Sequence, residues 1–198
     1  MFEHVLAVTC RALCPDALPE QLARVAAAHP AGILLREKDL SEAAYEALSA
    51  EALRICRAEN VPCILHTHAA VARRLGCGAI HLPLPVLAAD SACAHGFSTV
   101  GASVHSVGEA ETAVRLGATY LTAGHVFPTD CKAGVPARGL DFLRAVCAAV
   151  PIPVYAIGGI TPQNAAACMA AGAAGVAVMS GCMRGPISPE WFAKSVHS

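Results

Sequence analysis

The sequence predicts a compact (β/α)8 barrel, an α/β fold in which residues 1–198 form a single domain. Short apolar runs alternate with longer alanine-rich stretches along the whole chain, and several stretches end at a glycine directly before the next apolar run. A chain of this length can bury a substantial core. Eight strand–helix units would average about 25 residues each, which is short but sufficient for such a barrel.

The candidate strands are apolar at nearly every position, which is typical of parallel strands covered by helices. In chain order they are Val5–Thr9, Gly32–Arg36, Cys63–His66, Ala79–Leu82, Thr99–Ser103, Tyr120–Ala123, Val154–Ile157 and Gly175–Val178. A doubly wound sheet is the alternative, but no GxGxxG sequence follows the first candidate strand to favour it.

The alanine-rich stretches between these runs are the candidate helices. They are Pro19–Ala28, Ser41–Glu59, Ala69–Leu75, Val107–Leu116, Leu140–Ala149 and Pro162–Ala171. Ser41 and Thr161-Pro162 suit helix starts, because a hydroxyl can cap free amides and proline fits the first turn. The segment Pro83–Gly96 has the weakest helix pattern.

A recurring junction indicates that one strand–helix unit is repeated. The segments Leu75–Ile80, Leu116–Tyr120 and Ala171–Val176 each carry a glycine where a helix ends and a strand follows. Glycine accepts the left-handed conformation that closes a helix, so the chain can turn back into the sheet.

Composition argues against several classes of function. Hydrophobic residues make up 55%, charged residues 15%, and the formal net charge is −1, so no basic excess favours nucleic acid. No apolar stretch approaches the roughly 20 residues that span a bilayer, and the first residues lack the features of a signal peptide. We therefore expect a cytoplasmic protein that binds neither nucleic acid nor membranes.

Ten cysteines are spread along the chain without a CxxC pair, and we expect them to be small buried residues in a reducing compartment. Cys63, His66 and His68 could suggest a metal site. However, Cys63 and His66 would point to opposite faces of a strand, and two histidines without a further ligand do not make a site. We expect no bound metal.

The segment Gly124–Lys132 follows the sixth candidate strand and contains the strongest catalytic candidate, His125. Active sites of such barrels gather at the C-terminal ends of strands. An imidazole placed there can carry protons near neutral pH. We expect His125 to be the catalytic acid/base.

Two glycine-containing loops predict a phosphate site. Gly158 and Gly159 follow the seventh strand, and Ser180 and Gly181 follow the eighth. Barrels often hold a phosphate between these two loops, because free amides and missing side chains favour an anion. A plain turn at Gly158-Gly159 is the alternative.

Positive side chains are expected at the same end of the barrel. Arg36 and Lys38 follow the second strand, and Lys132 lies in the loop after the sixth. A solvated turn is the alternative for residues 36–38. Together with the glycine loops, these cations predict a small anionic substrate.

These motifs resemble those of the thiamin phosphate synthase/TenI superfamily over nearly the whole chain. The matching pieces are Leu35–Lys38, Gly78–Leu82, Gly101–Ser106, Val126–Thr129 with Lys132, Ala156–Pro162 and Gly175–Val178. The resemblance implies a TIM barrel that acts on thiazole phosphates in thiamin biosynthesis and forms a homo-oligomer, a dimer.

Within the superfamily, two enzyme activities compete. The synthase couples an aminopyrimidine diphosphate with a thiazole phosphate and uses magnesium to neutralise the departing pyrophosphate. Its pattern has Asn-Asp after strand three and Gly-Gln-x-Asp after strand four, where this chain has His66–Ala72 and His81–Pro85. Both carboxylates are missing, and histidine and proline do not replace oxygen ligands. The synthase is therefore disfavoured.

TenI-type thiazole tautomerases resemble the chain more closely, through Gly124–Lys132, the later Arg138-Gly139 and Met179–Gly181. The resemblance implies isomerisation of a carboxylated thiazole phosphate to its aromatic tautomer. His125 would move protons between carbons, Arg36 and Lys38 would hold the carboxylate, and no metal or redox cofactor is needed. A thiamin phosphate synthase and a non-catalytic thiamin-phosphate-binding regulator remain the alternatives.

Overall fold

Eight parallel strands close into a barrel whose strand order follows the sequence. The computed structural model describes residues 4–129 and 134–186. The strands are β1 (Val5–Val8), β2 (Gly32–Leu35), β3 (Cys63–His66), β4 (Ala79–Pro83), β5 (Thr99–Val104), β6 (Tyr120–Gly124), β7 (Val154–Ile157) and β8 (Gly175–Val178). The predicted (β/α)8 barrel is confirmed, and the doubly wound alternative is excluded because β1 pairs with β8.

All eight strands begin at the predicted residue, and the differences are confined to their C-terminal ends. Strands β4, β5 and β6 extend one residue beyond the prediction. Strands β1 and β2 end one residue earlier, where the Arg36 amide donates to the Thr9 hydroxyl oxygen at 2.8 Å. These strand ends are also where the functional side chains lie.

A helix follows every strand. The helices are α1 (Leu18–Ala26), α2 (Glu42–Ala58), α3 (Ala69–Arg74), α4 (Leu84–Ala89), α5 (Val107–Arg115), α6 (Gly139–Ala149), α7 (Pro162–Ala170) and α8 (Ser180–Met183), with 3-10 helices at Arg11–Leu13 and Ser91–Ala94. The weak pattern of residues 83–96 reflects an interruption at Asp90, whose carboxylate accepts a hydrogen bond from the Ala92 amide at 3.0 Å. None of the described helices combines the length and apolarity needed to cross a bilayer.

Side chains at the N-terminal end of α2, the longest of the described helices, cap the helix and join it to the barrel. The Ser41 hydroxyl accepts a hydrogen bond from the Ala44 amide at 3.3 Å and caps its first turn, as predicted. The buried Tyr45 hydroxyl donates to the Leu35 carbonyl at 2.7 Å and accepts from the His66 amide at 2.8 Å. One side chain of α2 thus joins the C-terminal ends of β2 and β3.

Alternation along the strands creates two apolar layers. Ala7, Ile33 and Leu65 point outward and join the main core with helix residues such as Leu22 and Leu143. The inward residues form a second cluster within the barrel: Leu6, Val8, Leu34, Ile64, Tyr120 and Ala177. A strand residue therefore belongs either to the helix-facing core or to the barrel interior.

The nine cysteines within the described ranges are all free thiols. Five of them are buried: Cys56, Cys63, Cys77, Cys168 and Cys182. Burial raises the pKa of Cys168 to about 11 and that of Cys182 to about 12, so both remain protonated near neutral pH. These buried thiols pack as small apolar residues, as the sequence predicts.

The barrel interior is crowded where β8 begins at Gly175. A Cβ there would lie 2.4 Å from the His4 carbonyl oxygen and 2.7 Å from Cε1 of Tyr155. We expect Gly175→Ala to lower the free energy of unfolding by about 1–3 kcal/mol, the cost of overpacking a rigid interior. Urea unfolding followed by circular dichroism would measure this loss.

The matched control is Gly108→Ala in α5, where an added Cβ meets no atom within 4 Å. We expect no loss of stability there, because alanine favours a helix over glycine. Equal destabilisation of both variants would contradict the crowding inferred at Gly175.

Candidate active site

A cavity of about 850 Å³ opens at the C-terminal ends of the strands. Six residues singled out by the sequence line it together: Arg36, Lys38, His125, Gly158, Gly159 and Ser180. Gly181 does not line the described part of the cavity, and Lys132 lies outside the described residues. Residues from distant parts of the chain thus meet at one end of the barrel.

Gly158 and Gly159 allow the loop after β7 to pack against the loop after β6. Their φ angles are +97° and +66°, in the region that glycine adopts readily. A Cβ on Gly158 would lie 2.3 Å from Cβ of His125, and one on Gly159 would lie 2.4 Å from the Pro128 carbonyl oxygen. The glycine pair is therefore more than a surface turn, because it brings the backbone of residues 158–159 to the cavity wall.

His125 is nearly buried, with 7% of its surface exposed. Its Nε2 lies 3.1 Å from the Val135 carbonyl oxygen, which can only accept a hydrogen bond. Neutral His125 therefore carries its proton on Nε2, and Nδ1 is the ring nitrogen with an available lone pair. In this neutral form the imidazole can accept a hydrogen bond through Nδ1.

Glu37 separates the two cavity cations and points away from them. Its carboxylate accepts from the Thr9 hydroxyl at 2.7 Å and from the Arg11 amide at 3.1 Å, and it pairs with the Arg11 guanidinium at 3.2 Å. These bonds fix the loop after β2 to the loop after β1. Arg36 and Lys38 line the cavity on either side of this anchor, so residues 36–38 are not a plain solvated turn.

Arg138 is a third cation at the cavity that the sequence analysis did not assign as a site residue. Its amide donates to the His125 carbonyl at 3.0 Å, and its guanidinium carbon lies 5.5 Å from the centre of the Phe142 ring. Its position in the Arg-Gly pair at the start of α6 was the signal that could have identified it.

A polar floor that the sequence pattern did not predict lies between β3 and β6. His66, Ser103 and Thr122 line the cavity, and His81 lies below them with Nε2 at 2.8 Å from the Ser103 hydroxyl oxygen. Burial, with a smaller effect from Arg36, lowers the pKa of His81 to about 3. Burial, with smaller effects from the nearby His81 and Arg36, lowers the pKa of His66 to about 3. Both imidazoles are therefore neutral at neutral pH.

The donor set does not suit magnesium, the ion that the family resemblance implies for a synthase. The ends of β3 and β4 present His66, Pro83 and Leu84 to the cavity. Glu109 is the one carboxylate among the described lining residues, and it accepts from the His105 amide at 2.6 Å. Residues 4–129 and 134–186 contain no group of three or more His, Cys, Asp or Glu that could hold a metal. Magnesium is usually held by one or two carboxylates together with waters and substrate phosphates, and the ends of β3 and β4 offer it no carboxylate, so these positions do not fit the ion.

Comparison with known proteins identifies similar chains over most of this length. The family model described as thiamine monophosphate synthase matches residues 5–182. The thiamine-phosphate synthase of Roseiflexus castenholzii is 39% identical over 161 residues, which are 80% of this chain and 70% of that protein. Thiamine-phosphate synthase 2 of Streptococcus pneumoniae serotype 4 is 32% identical over 192 residues, which are 92% of this chain and 91% of that protein.

A solved structure is similar as well. The thiamine phosphate pyrophosphorylase from Pyrococcus furiosus has a TM-score of 0.79 and 27% sequence identity, and the match covers 94% of this chain and 91% of that chain. The likeness therefore extends through the whole barrel and is not confined to the cavity.

These comparisons contradict the expectation of a tautomerase, an isomerase, because relatives at 32–39% identity are named thiamine-phosphate synthases. The expectation gave too much weight to the short segment around His125 and to the missing carboxylates. Physically, a histidine at that strand end need not transfer protons. The bond from Nε2 to Val135 makes His125 equally suited to accept a hydrogen bond from a ligand.

The two neutral histidines make stability depend on pH. The pKa of His66 is lower in the folded chain than the usual 6.5, so between about pH 6.5 and 3 the unfolded chain binds more protons. The free energy of unfolding should therefore fall with decreasing pH, with His66 alone contributing a loss of about 2 kcal/mol between pH 7 and 5. Urea unfolding of the His66→Gln variant should show a correspondingly smaller loss.

The control is Thr122→Val, which alters a neighbouring side chain of the same cavity without removing a titratable group and should leave the pH dependence unchanged. A loss between pH 7 and 5 that is as large in His66→Gln as in the unaltered protein would exclude His66 as a source of the effect.

Proposed function

This chain belongs to the thiamine monophosphate synthase (TMP-TENI) family, and we propose that it is a thiamine-phosphate synthase. The reaction joins an aminopyrimidine diphosphate to a thiazole phosphate and releases pyrophosphate. The observation that carries the proposal is the cavity, which is lined both by the cations Arg36 and Lys38 and by the glycine loop after β7 with Ser180. Similarity to named synthases along nearly the whole chain supports it.

The thiazole phosphate is assigned to the loops after β7 and β8. Gly158 and Gly159 leave backbone, rather than side chains, at the cavity wall, and Ser180 adds a hydroxyl donor. Backbone amides near a helix start favour an anion, and α7 begins three residues after Gly159. Gly181 receives no contact in this assignment because it does not line the described cavity.

The diphosphate is assigned to Arg36 and Lys38. In the reaction, a thiazole ring nitrogen bonds to the carbon that carries the diphosphate, the carbon–oxygen bond breaks, and pyrophosphate leaves with the electron pair. Fixed cations stabilise charge that develops on a leaving group, and an arginine can meet two phosphate oxygens in parallel. Lys132 would add a further cation, although it lies outside the described residues.

His125 is assigned a binding role in this reaction. The coupling does not move a proton between carbons, so the acid/base role expected for an isomerase is not needed. The Nδ1 lone pair follows from the Nε2 bond to Val135. It is complementary to a donor such as the amino group of the aminopyrimidine.

One observation favours a second candidate, a non-catalytic protein that binds thiamin phosphate. The ends of β3 and β4 lack the carboxylates that would hold magnesium, and a fold does not by itself establish chemistry. Binding of thiamin phosphate without turnover of the two substrates would identify this function.

The decisive test is formation of thiamin phosphate and pyrophosphate by the purified protein. It is incubated with aminopyrimidine diphosphate and thiazole phosphate, in parallel with magnesium and with excess EDTA. We expect both products in equal amounts in at least one arm. Absence of both products in both arms would reject the synthase.

Replacement of the cavity arginine tests the diphosphate assignment. We expect Arg36→Met to lower kcat/KM for aminopyrimidine diphosphate by about 10- to 100-fold, because a charge-assisted hydrogen bond is lost. Arg115→Met, on the last turn of α5, is the control and should keep normal kinetics. Unchanged kcat/KM in Arg36→Met would remove Arg36 from the diphosphate site.

Two glycines with nearly equal φ angles test the phosphate assignment. Gly159 and Gly76 have φ angles of +66° and +65°, but a Cβ on Gly76 meets no atom within 4 Å. We expect Gly159→Ala to weaken binding of thiazole phosphate at least about ten-fold in calorimetric titration, since the loop must shift. Gly76→Ala carries the same backbone strain and should bind normally. Unaltered affinity in Gly159→Ala would refute the assignment.

A further inference from the structure

Four side chains connect the buried centre of the barrel to the cavity. The Tyr120 hydroxyl oxygen lies 2.8 Å from Nδ1 of His81, and Nε2 of His81 lies 2.8 Å from the Ser103 hydroxyl oxygen. The Thr122 hydroxyl oxygen is 3.1 Å from that of Ser103. Ser103 and Thr122 line the cavity, whereas Tyr120 and His81 are buried. We call this chain of hydrogen bonds the Tyr120 relay.

Strand register builds the relay. His81 of β4 pairs with Gly101 of β5, which in turn pairs with Tyr120 of β6. A Cβ on Gly101 would lie 2.2 Å from Cζ of Tyr120 and 2.3 Å from Nδ1 of His81. Because Gly101 has no side chain, it leaves the space in which the side chains of His81 and Tyr120 meet. Two residues further along these strands, Ser103 pairs with Thr122. Their hydroxyls therefore lie between His81 and the cavity.

The number of protons on His81 and Tyr120 determines which group donates each hydrogen bond of the relay. Burial lowers the pKa of His81 to about 3 and raises that of Tyr120, so His81 carries one ring proton and Tyr120 keeps its own. A buried hydroxyl donates where an acceptor is available, and the partner of Tyr120 in the relay is Nδ1 of His81. The His81 proton is then on Nε2, from which it is donated to Ser103.

The hydroxyl pair consequently offers a donor to the cavity. Ser103 and Thr122 together have two hydroxyl hydrogens, and one of them makes the bond between the two oxygens. Because Ser103 already accepts from His81, the remaining hydrogen is left for an acceptor in the space that the pair lines. An acceptor atom without a proton, such as a ring nitrogen or a phosphate oxygen, is the complementary ligand group.

We propose that Tyr120 and His81 are positioning residues that act through Ser103 and fix the Ser103–Thr122 pair as a donor to an acceptor atom of the bound substrate. The relay extends through three neighbouring strands and ends in the cavity. The functional part of this inference rests on the proposed function, whereas the direction of the relay does not.

The direction is tested by the ring proton of His81, which two-bond nitrogen–proton NMR spectra assign to one nitrogen. We expect the unaltered protein to carry it on Nε2. In Tyr120→Phe, where Nδ1 has lost its donor, we expect a detectable population protonated on Nδ1. A proton on Nδ1 in the unaltered protein would overturn the relay, whether or not the chain is a synthase.

The functional part is tested by a double-mutant cycle of Tyr120→Phe and Ser103→Ala. We expect each single variant to lower kcat/KM for coupling about ten-fold. The double variant should have the same kcat/KM as Ser103→Ala, because Tyr120 acts only through Ser103. The dissociation constant for thiazole phosphate is measured in the same four proteins. If the unaltered protein does not couple its substrates, this constant takes the place of kcat/KM in the cycle.

The matched control is Tyr155→Phe, which removes the hydroxyl of a neighbouring tyrosine that packs edge-on against Tyr120 with ring centres 5.9 Å apart. It should keep normal kinetics and affinity, since Tyr155 is outside the relay. Additive losses in the double variant, or a loss in Tyr155→Phe equal to that in Tyr120→Phe, would overturn the positioning role.

Discussion

Every second residue of eight strands has to share the narrow interior of a closed barrel. This constraint determines the positions of the aromatic and polar side chains there. Tyr120 and Tyr155 fill the interior beside Gly101 and Gly175, whose Cβ atoms would collide with the two rings. Close packing leaves little freedom for these rings. The inward residues nearer the C-terminal ends therefore pack on a rigid layer of tyrosine rings.

The same alternation explains why the cavity is polar although the strands are apolar. Outward positions face helices and remain apolar, as at Leu121 and Ala123 of β6. The inward positions at the cavity end are occupied by His66, Ser103 and Thr122, which line it. A single register thus serves both the core and the site, and a shift of one residue would exchange the two sets.

The sequence was sufficient for the fold and for part of the site. Strand starts could be predicted because each apolar run follows a junction that contains a polar residue, glycine or proline. Arg36, His125 and Gly158 could be found because strand-end residues converge in a barrel. The contact between His81 and Tyr120 could not be predicted, since it depends on the space above Gly101 and joins residues 39 positions apart. The type of reaction was predicted wrongly, because short loop motifs were weighed above similarity along the whole chain.

The packing of the loop after β7 against the loop after β6 has a thermodynamic consequence. Val126 and Phe127 donate through their amides to the carbonyls of Ile157 and Gly158, at 2.9 and 3.0 Å, and Gly158 lies directly against the His125 backbone. The two loops therefore lose conformational freedom as one unit. A ligand that orders residues 158–159 also lowers the entropic cost of holding His125 in place. Binding at residues 158–159 and binding at His125 are thus linked through this shared backbone, without any need for a change in the barrel itself.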